Sequence, residues 1–194
     1  MSIGKQAKIL NNKQQSMILS YLETTRYPIR NKIIFLLSFK AGLRAKEISS
    51  LTWSMVCDSE GNVSDCITLP NQASKGKYSG RIIPLHKELK HLLQISMQDN
   101  TLLLQRIIQT ERDNKMSAQA IVNFFHSLYK NLNMDGCSSH SGRRTFITYA
   151  AKIISQAGGT INDVRQLAGH SSLSTTQRYI EYNTDAHKKI IELL

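Results

Sequence analysis

The chain has 194 residues, 41% of them hydrophobic, with 25 Lys+Arg against 14 Asp+Glu and a net charge of +11. That length supports one domain with its own core and no need of disulfides or metal. Its three scattered cysteines, Cys57, Cys66 and Cys137, supply neither a disulfide framework nor a zinc knuckle. No window approaches the ~18 apolar residues of a membrane span, and the opening MSIGKQAKIL lacks an apolar run of signal-peptide length. The expected setting is the cytoplasm, and the charge makes a polyanion, nucleic acid first, the expected partner.

Taken in chain order, residues 1–12 read as a loose basic arm. From Lys13 to Glu23 the apolar Met17, Ile18, Tyr21 and Leu22 recur at helical spacing, and IIFLLSF predicts a largely buried helix over Ile29 to Ala41, ended by Gly42. A short helix follows at Lys46 to Leu51. Val56, Val63, Ile67, Leu69, Ile82 and Ile83 then lie in short segments broken by DSEGN and QASKGKYSG, which predicts a small antiparallel sheet. Helical periods return with Leu89, Leu92 and Leu93, and again with Ile121, Val122, Phe125, Leu128 and Leu132 behind Ser117 as N-cap. A further helix spans about Ser141 to Gln156, Gly158-Gly159 breaks it, and Thr160 with Asp163 opens the next. Ser174 with Gln177 has the form of a capping box, which puts Tyr179 in the first two turns of a late helix. The fold class is mainly α with a small antiparallel β-sheet (α+β), as a single domain over 1–194 with 183–194 as a tail helix.

Four short constellations bear on chemistry, and each alone has an ordinary explanation. In AGLRAKEISSLTW, Arg44 enters a turn ahead of a helix with Glu47 three residues on, the spacing of a surface ion pair. SKGKYSGRIIPL is a basic turn between strands, read either as a solvated hairpin tip or as a mobile Lys75 or Lys77 reaching a phosphate or leaving-group oxygen. HSGRRTFITYAA begins a helix at His140 and places Arg143 and Arg144 in its first turn, where the dipole disfavours cations unless an anion is to be met. The plainer reading pairs one of these arginines with a carboxylate such as Glu47. In LAGHSSLSTTQRYIEY, Gly169 ends a helix, His170 occupies the turn and Tyr179 follows nine residues later, a position that packing alone would explain.

Together these side chains fit one task, attack on a phosphodiester by a tyrosine hydroxyl. A phenol with a pKa near ~10 needs a proton acceptor and nearby positive charge, which histidines and arginines supply. Two guanidiniums can grip nonbridging oxygens and offset the charge of a pentacoordinate transition state. Neither a cluster of two or three carboxylates nor a GxxxxGK[ST] phosphate loop occurs, so the expected chemistry uses no metal and no cofactor.

In this order and spacing, G-L-R-x-x-E, a hairpin lysine before R-x-x-P-L, H-x-x-R, and L-x-G-H followed after nine residues by Tyr, the chain resembles the tyrosine recombinase, or phage integrase, family. The resemblance runs from GLRAKEISSLTW to the terminal helix. It implies a catalytic set of Arg44, Lys75, His140, Arg143, His170 and Tyr179, with Glu47 orienting the first arginine. It also implies a 3′-phosphotyrosine intermediate, double-stranded DNA as substrate, a homo-tetramer on two DNA segments with the tail AHKKIIELL docked on a neighbour, and a nucleoid-associated location. Accessory DNA-bending proteins are partners that it admits. Lys77, Arg81 and Arg144 are candidate DNA contacts. The likeness is to short members consisting of the catalytic domain alone, such as recombinases that invert fimbrial promoters, and a fragment of a longer chain fits the same sequence. The alternatives are a type IB topoisomerase, a degenerate recombinase, and a regulator reading TINDVRQLAGHSSLSTTQRYI as helix-turn-helix.

Overall fold

The computed structural model describes residues 6–71, 80–98, 101–179 and 191. Lys75, Lys77, Tyr182 and, apart from Ile191, the expected tail helix lie outside the described residues. Eight α-helices and one two-stranded sheet are described: α1 (Asn12–Glu23), α2 (Pro28–Phe39), α3 (Ala45–Ser50), β1 (Cys66–Leu69), β2 (Arg81–Pro84), α4 (Lys87–Ser96), α5 (Ala118–Asn131), α6 (Ser141–Ile153), α7 (Ile161–Ala168) and α8 (Leu173–Gln177). A 3-10 turn, Trp53–Met55, follows α3. No described helix is long and apolar enough to cross a membrane.

The centre is α2. Every residue from Ile33 to Phe39 is buried, because this helix packs against α1, α4 and α6 on different sides. At the α6 contact, a Cβ on Gly142 would lie 2.6 Å from Ser38 Oγ, so the glycine of H-S-G-R lets the two backbones approach. The main core gathers α1 to α5 and the inner face of the sheet, and a second, smaller cluster joins Ile147 of α6 with Val164 and Ala168 of α7. Each fully buried Leu, Ile or Phe contributes about 1.5–3 kcal/mol.

The strands pair antiparallel, with Ile67 opposite Ile83 and Leu69 opposite Arg81. Ile67, Leu69 and Ile83 face the core, while Ile82 is exposed, the alternation of a one-sided sheet. Val56 and Val63 do not join this sheet. Val56 closes the 3-10 turn, and Val63 forms only an isolated bridge with Cys57, because the Asp58 carboxylate collects the N–H groups of Glu60 and Asn62 into a tight turn. Nor is the N-terminal segment loose where it is described. Leu10 is buried and its N–H donates to Thr145 Oγ1 at 2.8 Å, while the Lys8 N–H reaches Gly136 O at 3.0 Å.

Helix ends follow side-chain chemistry. Ser117 caps α5 through the Ala120 N–H, and Thr160 with Asp163 forms the capping box of α7. At α8 the cap is Ser172 instead of Ser174, its Oγ accepting from the Ser174 N–H. The helix therefore starts early and stops at Gln177, so Tyr179 lies in the turn just beyond it, its N–H donating to Thr176 O at 3.0 Å.

Candidate active site at the end of helix α7

The site forms along the seam between the two apolar clusters, where the loop before α3, the start of α6, the start of β2 and the end of α7 meet. Two left-handed glycines shape it. Gly42, at φ +65°, turns the chain out of α2, and a Cβ there would lie 2.4 Å from the Phe146 ring. Gly169, at φ +61°, caps α7, and a Cβ there would lie 2.6 Å from an Arg81 guanidinium nitrogen.

The last carbonyls of a helix have no partner within it and carry the negative end of its dipole. Here three successive ones each meet a different arginine. Leu167 O accepts from Arg81 Nε at 2.8 Å, Ala168 O from Arg143 Nη2 at 2.6 Å, and Gly169 O makes a long contact of 3.5 Å with Arg44 Nη2. Arg143 also donates to Gly42 O, tying the glycine turn before α3 to the end of α7.

Glu47 is the counter-charge. Its side chain is 1% exposed, and its carboxylate accepts from the Arg44 N–H at 2.8 Å and Arg44 Nη1 at 3.0 Å. It also takes a two-pronged bond from Arg81 at 2.9 and 3.1 Å. Burial alone would raise its pKa, but the bonds and charge of Arg81 and Arg44 outweigh that and hold it below the usual carboxylate range. The plainer sequence reading, one of Arg143 and Arg144 on a carboxylate such as Glu47, is not met at Glu47 itself, whose carboxylate is taken by Arg44 and Arg81. Arg81, proposed from sequence as a DNA contact, has a side chain only 5% exposed and is committed to Glu47 and Leu167 O. The motif R-x-x-P-L carries no sign of this, since the partner carboxylate lies 34 positions away.

Arg143 is buried, and burial followed by the neighbouring Arg44 charge lowers its pKa, though a guanidinium remains charged at neutral pH. His170 is also buried. Desolvation first, then Arg143, Arg44 and Arg81, bring its pKa down to about 4, so its ring is neutral at pH 7. The ring stacks on that of Tyr179 with centroids 5.5 Å apart and 25° between planes, and its Nδ1 lies 2.9 Å from Thr176 Oγ1. The Tyr179 carbonyl accepts from Thr148 Oγ1 at 3.3 Å. A cleft of about 370 Å³ beside Tyr179 is lined by His140, Arg143, Arg144, Arg178, Tyr179 and the N-terminal Gln6, while His170 lines a neighbouring cleft with Arg81 and Gly169. Sequence reasoning had not singled out Thr176 or Arg178. The structure thus brings Arg44, Glu47, Arg143, His170 and Tyr179 into one site, with His140 and Arg144 on the cleft wall.

Three guanidiniums against one carboxylate leave a surplus of two positive charges around a neutral imidazole and a tyrosine. That surplus suits the site to an anion. The site does not resemble a groove-reading helix-turn-helix, because the second helix, α8, has five residues and the preceding turn is held by arginines.

The fold is that of tyrosine recombinase catalytic domains. A crystal structure of XerA recombinase superposes with a TM-score of 0.69 at 20% identity, covering 100% of this chain and 65% of that one. A lambda integrase dimer bound to a COC′ core site does so with a TM-score of 0.70 at 18% identity, covering 94% of this chain and 64% of that one. The phage integrase family model matches residues 8–186, and the chain belongs to that family. Tyrosine recombinase XerA of Pyrococcus horikoshii is 27% identical over 168 residues, covering 84% of this chain and 54% of that protein. A probable integrase/recombinase of Acholeplasma phage L2 is 24% identical over 170 residues, 86% of this chain and 55% of its own length. The chain thus spans about half the length of these curated relatives.

Proposed function

We propose that this chain catalyses site-specific DNA recombination by metal-free transesterification, with Tyr179 as nucleophile. The stacking of Tyr179 on a neutral His170, beside arginines anchored to the end of α7, carries this reading. In it, Tyr179 Oη gives up its proton to His140 across the cleft that both line as it attacks the scissile phosphorus, and the bond from phosphorus to the 5′ oxygen breaks. Lys75 protonates the departing oxygen to give a 5′ hydroxyl, and the 3′ phosphate remains on the tyrosine. Arg44, Arg143 and His170 hold the nonbridging oxygens, and His140 faces the same phosphate from the cleft wall. Attack by a 5′ hydroxyl of a second duplex reverses the step and completes strand exchange. Bond energy is kept in the phosphotyrosine, so no nucleotide cofactor is required. Double-stranded DNA is the substrate, with Arg144 and Lys77 as backbone contacts, and a homo-tetramer joined through the tail is the working assembly.

A suicide substrate nicked near the scissile phosphate tests this, because loss of the 5′ fragment prevents religation. The wild-type chain is expected to accumulate a covalent protein–DNA adduct and Tyr179→Phe none. An adduct of equal yield in the Phe variant would move the nucleophile elsewhere, with Tyr182 next to be tested.

A further inference from the structure

Thr176 is wholly buried, and its hydroxyl sits 2.9 Å from His170 Nδ1. A hydroxyl has one proton to donate, and a neutral imidazole has one nitrogen that donates and one that accepts. Among the described residues, no other acceptor is recorded for the Thr176 hydroxyl. If Nδ1 carried the ring proton, the threonine proton would therefore be buried without an acceptor, an arrangement that folded proteins avoid. The satisfied arrangement has Thr176 donating to Nδ1 and the ring proton on Nε2.

We infer that Thr176 is a positioning residue that sets the tautomer of His170, leaving Nε2–H as a donor toward the reacting phosphate. This rests on the function proposed above, in which His170 meets a phosphate, since phosphate oxygens only accept. Burial and the surrounding arginines keep the ring neutral, so a single N–H must be placed correctly. A second bond makes the placement more exact: the Thr176 carbonyl accepts the Tyr179 N–H, so one residue of α8 fixes both the imidazole and the backbone of the proposed nucleophile. Thr176→Val removes the hydroxyl while keeping shape and that backbone bond, and Thr176→Ser keeps the hydroxyl.

The test has two arms. In the DNA-free wild-type protein with 15N-labelled histidine, long-range 1H–15N correlation at pH 7 should show His170 with protonated Nε2 and bare Nδ1. Thr176→Ser should keep that pattern and Thr176→Val should lose it. Observing Nδ1–H in the wild type, or an unchanged tautomer in Thr176→Val, would overturn the inference without any variant needing to be active. In the second arm, single-turnover cleavage of the nicked substrate should fall by about 10-fold or more in Thr176→Val, the lower end of the loss seen when a metal-ligating imidazole loses its orienting hydrogen bond, and be largely restored in Thr176→Ser. Equal loss in both variants would make the role one of packing. If the wild type itself formed no adduct, the proposed function would fail while the first arm still decided the tautomer.

Discussion

Replacing Glu47 by Gln tests the electrostatic centre of the site directly. The side chain is 1% exposed, and that of its partner Arg81 is 5% exposed. At 2.9 Å and an effective dielectric near ~20, one such pair attracts by about 6 kcal/mol before desolvation is counted. The net value is smaller, but removing one charge strands the other, and breaking a buried pair in this way costs about 3–5 kcal/mol. Gln keeps the volume and one acceptor, yet turns an NH2 group toward guanidinium donors. Urea unfolding at pH 7 should therefore show Glu47→Gln destabilised by about 3–5 kcal/mol, and Glu47→Gln/Arg81→Met less destabilised than the sum of the single variants. The pH dependence follows with its sign. Because the folded Glu47 pKa lies below its ordinary 4.5, its stabilising effect is present above that value and is lost as pH falls through the folded pKa. A loss under about 1 kcal/mol for Glu47→Gln, or strict additivity in the double variant, would refute the reasoning.

Gly42→Ala should destabilise by about 2–5 kcal/mol in the same assay. A left-handed non-glycine residue costs about 1–2 kcal/mol, and pressing a methyl group into the Phe146 ring adds an overpacking penalty. A change under about 0.5 kcal/mol would mean that the turn relaxes freely. For His170, with a folded pKa of about 4, the unfolded chain takes up the proton first. Its contribution to stability is therefore complete above the ordinary histidine value near ~6.5, declines by up to about 3 kcal/mol as pH falls toward 4, and levels off below. NMR titration of the ring checks this, and a midpoint above pH 6 would contradict the buried, arginine-ringed setting.

What was legible in the sequence was whatever depends on local periodicity or on a motif whose members contact each other across known spacing. The buried helix IIFLLSF, the Ser117 cap, and the Thr160–Asp163 box are all local, and each has its expected form. The placement of Arg44 beside Glu47 is local too, three residues apart on a helix start. The start of α8 was misjudged because SSLSTT offers several hydroxyls able to cap, and only three-dimensional placement decides that Ser172 does so. Val56 and Val63 suggested strands by composition, yet the Asp58 turn closes the chain before a ladder can extend. Arg81 looked like a surface cation because its partners, Glu47 and the Leu167 carbonyl, are 34 and 86 positions distant.

The three arginines also divide their work in a way that the geometry makes intelligible. Arg81 is sealed inside on Glu47, whereas the Arg44 side chain is 28% exposed, so Arg44 faces out from the same carboxylate that Arg81 closes from within. Arg143 sits between them, fixed by the carbonyls of Gly42 and Ala168. A guanidinium carries five N–H donors, so these anchors orient Arg44 and Arg143 and still leave donors to present to an anion. The helix end thus supplies preorganisation: its carbonyl oxygens offset part of the repulsion among clustered cations and fix their positions. It follows that an Arg143→Ala variant removes structure as well as charge, since two carbonyls lose their donor at once. A fall in the proposed cleavage in that variant would measure chemistry only once the change in unfolding free energy has been measured alongside.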